Sequence, residues 1–130
     1  MPRFVVLHHV MPPDAERTSH WDLMLQMRNC SLLSEESANK TLRTWEMPNP
    51  IKRAQTVLAR RLPDHRDVYL EYEGDLSDGR GAVERVMEGL VRWIEETDDK
   101  YVIQLETSEQ VVFDIVIIRK DGDQFSISIK

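Results

Sequence analysis

The sequence is short of cysteine, histidine, positive charge and long apolar runs, and each shortage excludes something. A lone Cys30 in 130 residues rules out an intramolecular disulfide and fits a reducing cytoplasm. It reads as a structural or surface thiol in a turn. No apolar stretch approaches the length of a membrane span, and the N-terminus lacks the charged-then-apolar pattern of a signal peptide. The expectation is a cytoplasmic protein without membrane contact, in which the Asn-x-Ser/Thr triplets at Asn29 and Asn39 are chance matches. Seventeen Lys and Arg stand against 23 Asp and Glu, a net charge of −6. Broad, nonspecific grip on nucleic acid comes from clustered Lys and Arg, so that mode is disfavoured. A nucleic-acid end can still be held locally, because a bound metal supplies its own positive charge.

Repeats and low-complexity tracts are also missing, and the length suits one domain, residues 1–130, able to bury a core without staples. What the chain does contain is a succession of short, alternating, β-branched runs. Strands are expected near residues 3–9, 20–27, 42–47, 56–62, 67–73, 82–87, 90–95, 100–106, 111–119 and 123–129. Lys120-Asp121-Gly122-Asp123 carries the Asp-Gly of a tight hairpin, and residues 95–100 form a polar, acidic connector. Loops start at Met11-Pro12-Pro13 and Met47-Pro48-Asn49-Pro50, and residues 34–41 suit a turn of helix opening at Ser34. The fold class is mainly β, a compact antiparallel β-barrel with little helix. The interior of a small barrel is packed, so a site belongs at a mouth or in an outer groove.

Four histidines are present, His8, His9, His20 and His65, each at the end or edge of an expected strand. Along residues 20–27, Trp21, Leu23, Leu25 and Met27 make one apolar face, which puts His20, Asp22, Met24 and Gln26 together on the other. An imidazole and a carboxylate so placed are two of the three ligands that a catalytic divalent metal needs. The plainer alternative is a hydrogen-bonded His-Asp pair on a wet sheet face. In FVVLHH, alternation groups Val5, Leu7 and His9 against Phe4, Val6 and His8, so one of the two histidines shares a face with any site the strand builds. Further on, His65 lies in a loop just before the expected strand 67–73, with Val68, Leu70 and Tyr72 on its apolar face and Tyr69 opposite. Imidazolium and phenol are both donors suited to a phosphate oxygen; otherwise Tyr69 is an amphipathic cross-strand residue and His65 a loop side chain. Trp45 and Trp93 read as core. A non-haem Fe(II) oxygenase triad of His20, Asp22 and His65, and a metal-free structural domain, remain further alternatives.

These segments, taken in order, resemble the 3′-phosphoesterase domain of bacterial DNA ligase D and its stand-alone relatives. The family's first strand ends in a histidine, as FVVLHH does at His9. Its His-Tyr-Asp-Phe-Arg-Leu-Glu is similar to residues 20–26, its Ser-Trp-Ala-Val-Pro to residues 44–48, and its Glu-Asp-His-Pro-Leu-Asp-Tyr-Ala-Asp-Phe-Glu-Gly to residues 63–74. A glycine-bearing turn follows at Ser77-Asp78-Gly79-Arg80-Gly81-Ala82, and the likeness spans residues 4 to 95. It implies a compact β-barrel acting in DNA repair on the 3′ ends of DNA or RNA, with a ligase or other repair protein as partner and a monomeric state. It also implies Mn²⁺, with Zn²⁺ or Co²⁺ able to replace it, held by His9, His20 and Asp22, while His65 and Tyr69 contact the phosphate. Three features depart from the family. Its arginine two residues past the aspartate is Met24 here, which makes no charge-assisted hydrogen bond. The family's N-terminal arm has no counterpart before Phe4, and the loop from His9 to His20 is longer. Hydrolysis is therefore expected to be weakened, with a non-catalytic end-binding module as the alternative and Arg80 or Arg3 as substitute cations.

Overall fold

Alternation along each strand is what builds this molecule. The computed structural model describes residues 1–28 and 39–130. Nine strands appear in order: β1 (Arg3–Val10), β2 (His20–Gln26), β3 (Leu42–Met47), β4 (Gln55–His65), β5 (Gly74–Asp75), β6 (Ala82–Glu96), β7 (Lys100–Thr107), β8 (Val112–Asp121) and β9 (Gln124–Ile129). They form one antiparallel sheet in the order β1-β2-β3-β4-β9-β8-β7-β6-β5. Pairing of β1 with β6 closes this sheet into a ring, so the long strands have no free edge there to recruit another chain. The short β5 is appended to the start of β6. Among the described residues, no helix is long and apolar enough to cross a membrane. Cys30 and residues 34–38 of the expected helical turn lie outside the described residues.

Two sets of buried side chains, one on each face of the sheet, determine where the chemistry can be. The larger fills the ring, and in it Phe4, Val6, Leu23, Leu25, Trp45, Ile103, Leu105, Ile115 and Phe125 come from strands all round. Each such side chain contributes about 1.5–3 kcal/mol when taken from water. The smaller set, Val5, Leu7, Met24, Leu42, Leu70 and Val83, lies on the opposite face of β1 and β2, with Tyr69 and Leu76 packed against it. The second face of β2 is therefore covered, not wet, and His20 and Asp22 are each only 4% exposed.

The expected strand at 67–73 is instead a 3-10 helix, Asp67–Leu70. Strand β4 runs on to His65, three residues past its expected end, and Leu42–His65 is the last residue pair it makes with β3. Past His65 one backbone bond still reaches the residues before β3, Asp67 N–H to the Asn39 carbonyl at 2.6 Å, and the chain then turns on itself, Tyr69 N–H to the Arg66 carbonyl at 3.2 Å and Glu71 N–H to the Val68 carbonyl at 3.1 Å. The apolar face expected of Val68, Leu70 and Tyr72 does not form: Leu70 is buried, while Val68 and Tyr72 are exposed. The expected strands 82–87 and 90–95 are one continuous strand, β6. Gly89 does not break it, since a Cβ there would stand 2.0 Å from the Glu106 carbonyl oxygen of β7; this glycine permits a close strand approach.

Candidate metal centre

His9 and His20 face each other directly across β1 and β2, and Asp22 lies two residues along on the same face. One ligand atom from each of His9, His20 and Asp22 can be chosen so that all lie within 4.8 Å of one another. Two bonds of about 2.1 Å across one ion span about 4.2 Å, so small side-chain rotations would close the set on a metal. His8, on the other face, stacks on Trp21 with ring centroids 4.4 Å apart and takes no part.

The donors fit a cation. His20 Nδ1 lies 3.0 Å from the Thr18 carbonyl oxygen, and His9 Nε2 lies 2.6 Å from that of Arg80. A carbonyl only accepts, so each imidazole gives its outer N–H to backbone and turns its inner nitrogen towards Asp22. Those inner atoms, His20 Nε2 and His9 Nδ1, stand 3.4 and 3.6 Å from the carboxylate oxygens. The buried Oδ1 of Asp22 receives no well-aligned hydrogen bond, although His20 Nε2 stands beside it. Two imidazole lone pairs and an under-satisfied carboxylate converging in a buried place call for a positive charge between them. Backbone carbonyls that fix the tautomer of ligating histidines are the usual outer support of such sites. This group can hold a metal ion.

Without a metal, the same surroundings favour a proton on His20. Burial opposes charge on His20, but contact with Asp22, the Thr18 carbonyl and the charge of Glu46 outweigh it and raise the His20 pKa. Burial likewise opposes ionisation of Asp22, yet contact with His20 and His9 keeps its pKa below the usual carboxylate value.

The register of β3 brings in Glu46, a residue that single-strand patterning passes over. Asp22 pairs with Glu46 across β2 and β3, and Glu46 pairs with Arg60 across β3 and β4. Like charges directly opposite one another are unfavourable. Here the Glu46 carboxylate is compensated by Arg60 at 3.0 Å, by His20 Nδ1 at 3.2 Å and by Arg17. A clue was available: Trp45 and Met47 point inward, so Glu46 must point to the face that holds Asp22.

His65, Tyr69 and Arg80 reach the same place. A cleft of about 160 Å³ is lined by His9, His20, Asp22, His65, Tyr69 and Arg80, with Met24, Leu62, Leu76 and Val83 as apolar wall and Arg17 at its side. His65 belongs to the end of β4, not to a loop, and its Nδ1 lies 2.8 Å from the Pro63 carbonyl oxygen. Its ring centroid is 5.8 Å from that of Tyr69, which the 3-10 helix presents. The oxygenase triad of His20, Asp22 and His65 is not assembled; among the described residues His9 takes the third place. Of the two substitute cations, Arg3 lies outside the cleft and pairs with Glu71, and Arg80 lines it while its guanidinium bonds Ser77 at 2.9 Å. Neither a protein-family model nor a curated protein matches this chain.

Proposed function

We propose that this protein is a metal-dependent phosphoesterase-like domain that takes a terminal phosphate of a nucleic acid, as the likeness to the ligase D 3′-phosphoesterases implies. The observation that carries this reading is convergence. Three metal-ligating side chains and two phosphate donors, from strands β1, β2 and β4 and the 3-10 helix, line one cleft large enough for a phosphate and little more. A mixed nitrogen and oxygen donor set suits Mn²⁺, with Zn²⁺ or Co²⁺ able to bind.

His9, His20 and Asp22 would hold the ion, which supplies a Lewis acid for a phosphoryl oxygen and lowers the pKa of a bound water. The protein's own groups do the remainder. The Tyr69 hydroxyl donates to a phosphoryl oxygen, and His65 either donates alongside it or protonates the leaving oxygen. The apolar wall of Met24, Leu62, Leu76 and Val83 excludes water from one side, which strengthens every charge interaction within.

Met24 supports a second reading, an end-binding module without turnover. Its side chain is buried in the smaller core set, so an apolar group stands where the family places its arginine. A lost guanidinium clamp removes several kcal/mol of transition-state stabilisation, on the order of a hundredfold or more in rate. The two readings separate on a labelled primer ending in a 3′-phosphate, incubated with Mn²⁺ and either the wild type or Asp22→Ala. Slow release of phosphate that Asp22→Ala abolishes is the expected result. Mn²⁺-dependent primer binding without release selects the end-binding module, and neither binding nor release overturns both.

A further inference from the structure

The cleft carries one more cation, and it comes from the loop whose course the sequence left open. Residues 11–19 are pinned at both ends: Met11 N–H donates to Ser19 Oγ at 2.9 Å, and Ala15 N–H to the Pro12 carbonyl at 3.0 Å. This folding brings the half-exposed Arg17 to the side of the metal centre. Beside the cleft runs a wider, open groove of about 790 Å³, with Glu46, Pro48, Leu58 and Arg60 in its walls. Among the described residues, only Arg17 and His20 line both cavities.

The partners of Arg17 make it the cation that can be released. Arg80, the other guanidinium in the cleft, is bound within its own turn through Ser77. Arg17 pairs with Glu46, and Glu46 keeps Arg60 and His20 when Arg17 leaves. Its departure therefore strands no charge, because Glu46, only 17% exposed, stays paired with both of them. A phosphate dianion beside the metal offers a stronger, bidentate partner.

We propose that Arg17 is the anion-gripping group of this site, held by Glu46 until a phosphate enters and then transferred to its oxygens. The rest of the ligand would leave through the wider groove past Arg60. Arg17 thus fills the role that Met24 cannot, from a different element and a different side. The inference rests on the phosphate-binding reading above.

Its test is titration of inorganic phosphate into Mn²⁺-loaded wild type, Arg17→Ala, Arg17→Lys and Arg80→Ala, with the Mn²⁺ affinity and thermal stability of each measured separately. Arg17→Ala is expected to weaken phosphate binding roughly ten- to hundredfold, the range for a lost hydrogen-bonded charge. Arg17→Lys should recover part of that loss, and Arg80→Ala should change it little; Mn²⁺ affinity and stability should hold in all. A wild type that binds Mn²⁺ and phosphate, with Arg17→Ala binding phosphate equally well, overturns the role of Arg17 and leaves the proposed function standing. A wild type that binds Mn²⁺ but no phosphate overturns both.

Discussion

Asp22 holds the centre together, and its charge depends on the two histidines beside it. In the metal-free protein the raised pKa of His20 and the lowered pKa of Asp22 set opposite limits on stability. The His20 contribution is fully present below its unfolded value near 6.5 and is lost as pH rises through the raised folded pKa. The Asp22 contribution is present above its unfolded value near 3.8 and is lost as pH falls through the depressed folded pKa. Thermal melts should therefore show the metal-free protein losing stability as pH rises above 6.5. Saturating Mn²⁺ should reverse that limb, because the ion takes the place of the proton on His20 and binds better as pH rises. A metal-free stability that is flat across this range would contradict the His20–Asp22 charge pair. The candidate ligand group was legible in part from the sequence: alternation puts His20 and Asp22 on one face and leaves His8 and His9 open, and the family resemblance selects His9, which the structure brings beside them. Glu46 and Arg17 were not. Glu46 reaches the site through the β2–β3 register, which no single strand encodes, and Arg17 through a loop without periodicity.

At the scale of elements, alternation matches the strands that pair around the ring and misleads at residues 67–73. The run at 67–73 alternates, but alternation specifies a strand only where a neighbour is paired, and among the described residues the β3–β4 pairing ends at Leu42–His65. The resulting 3-10 helix matters to the site, because it carries Tyr69 to the cleft while Leu70 anchors it on the outer core. The turn between β5 and β6 makes a comparable contribution. Gly81 has a φ of +83°, and a Cβ there would stand 2.0 Å from the Val10 carbonyl oxygen at the end of β1. That close approach keeps the neighbouring Arg80 carbonyl on His9 Nε2. Gly81→Ala should cost about 1–3 kcal/mol from the unfavourable backbone conformation, read by denaturant melts. It should also weaken Mn²⁺ binding about 10–100-fold, the range for loss of an outer hydrogen bond to a metal ligand. Unchanged metal affinity in a folded Gly81→Ala protein would show that the Arg80 carbonyl does not orient His9.

For the whole molecule, closure of the ring keeps the charged site apart from the apolar interior. The largest aromatic core residues lie inside, and His9, His20, Asp22 and Glu46 sit outside, on the face of β1, β2 and β3 away from that core. Strand β1 pairs with β2 on one side and β6 on the other, so His9 lies where the ring is sealed, between His20 and the turn that carries Arg80. Occupancy of the centre should accordingly stabilise the closed sheet as well as prepare the cleft. The central claim is that His9, His20 and Asp22 share one divalent ion. Anomalous diffraction from crystals soaked in Mn²⁺ tests it most directly. The expected result is a single strong peak within bonding distance of His9 Nδ1, His20 Nε2 and the Asp22 carboxylate, absent from Asp22→Ala; no peak there, or a peak that persists in Asp22→Ala, would contradict it.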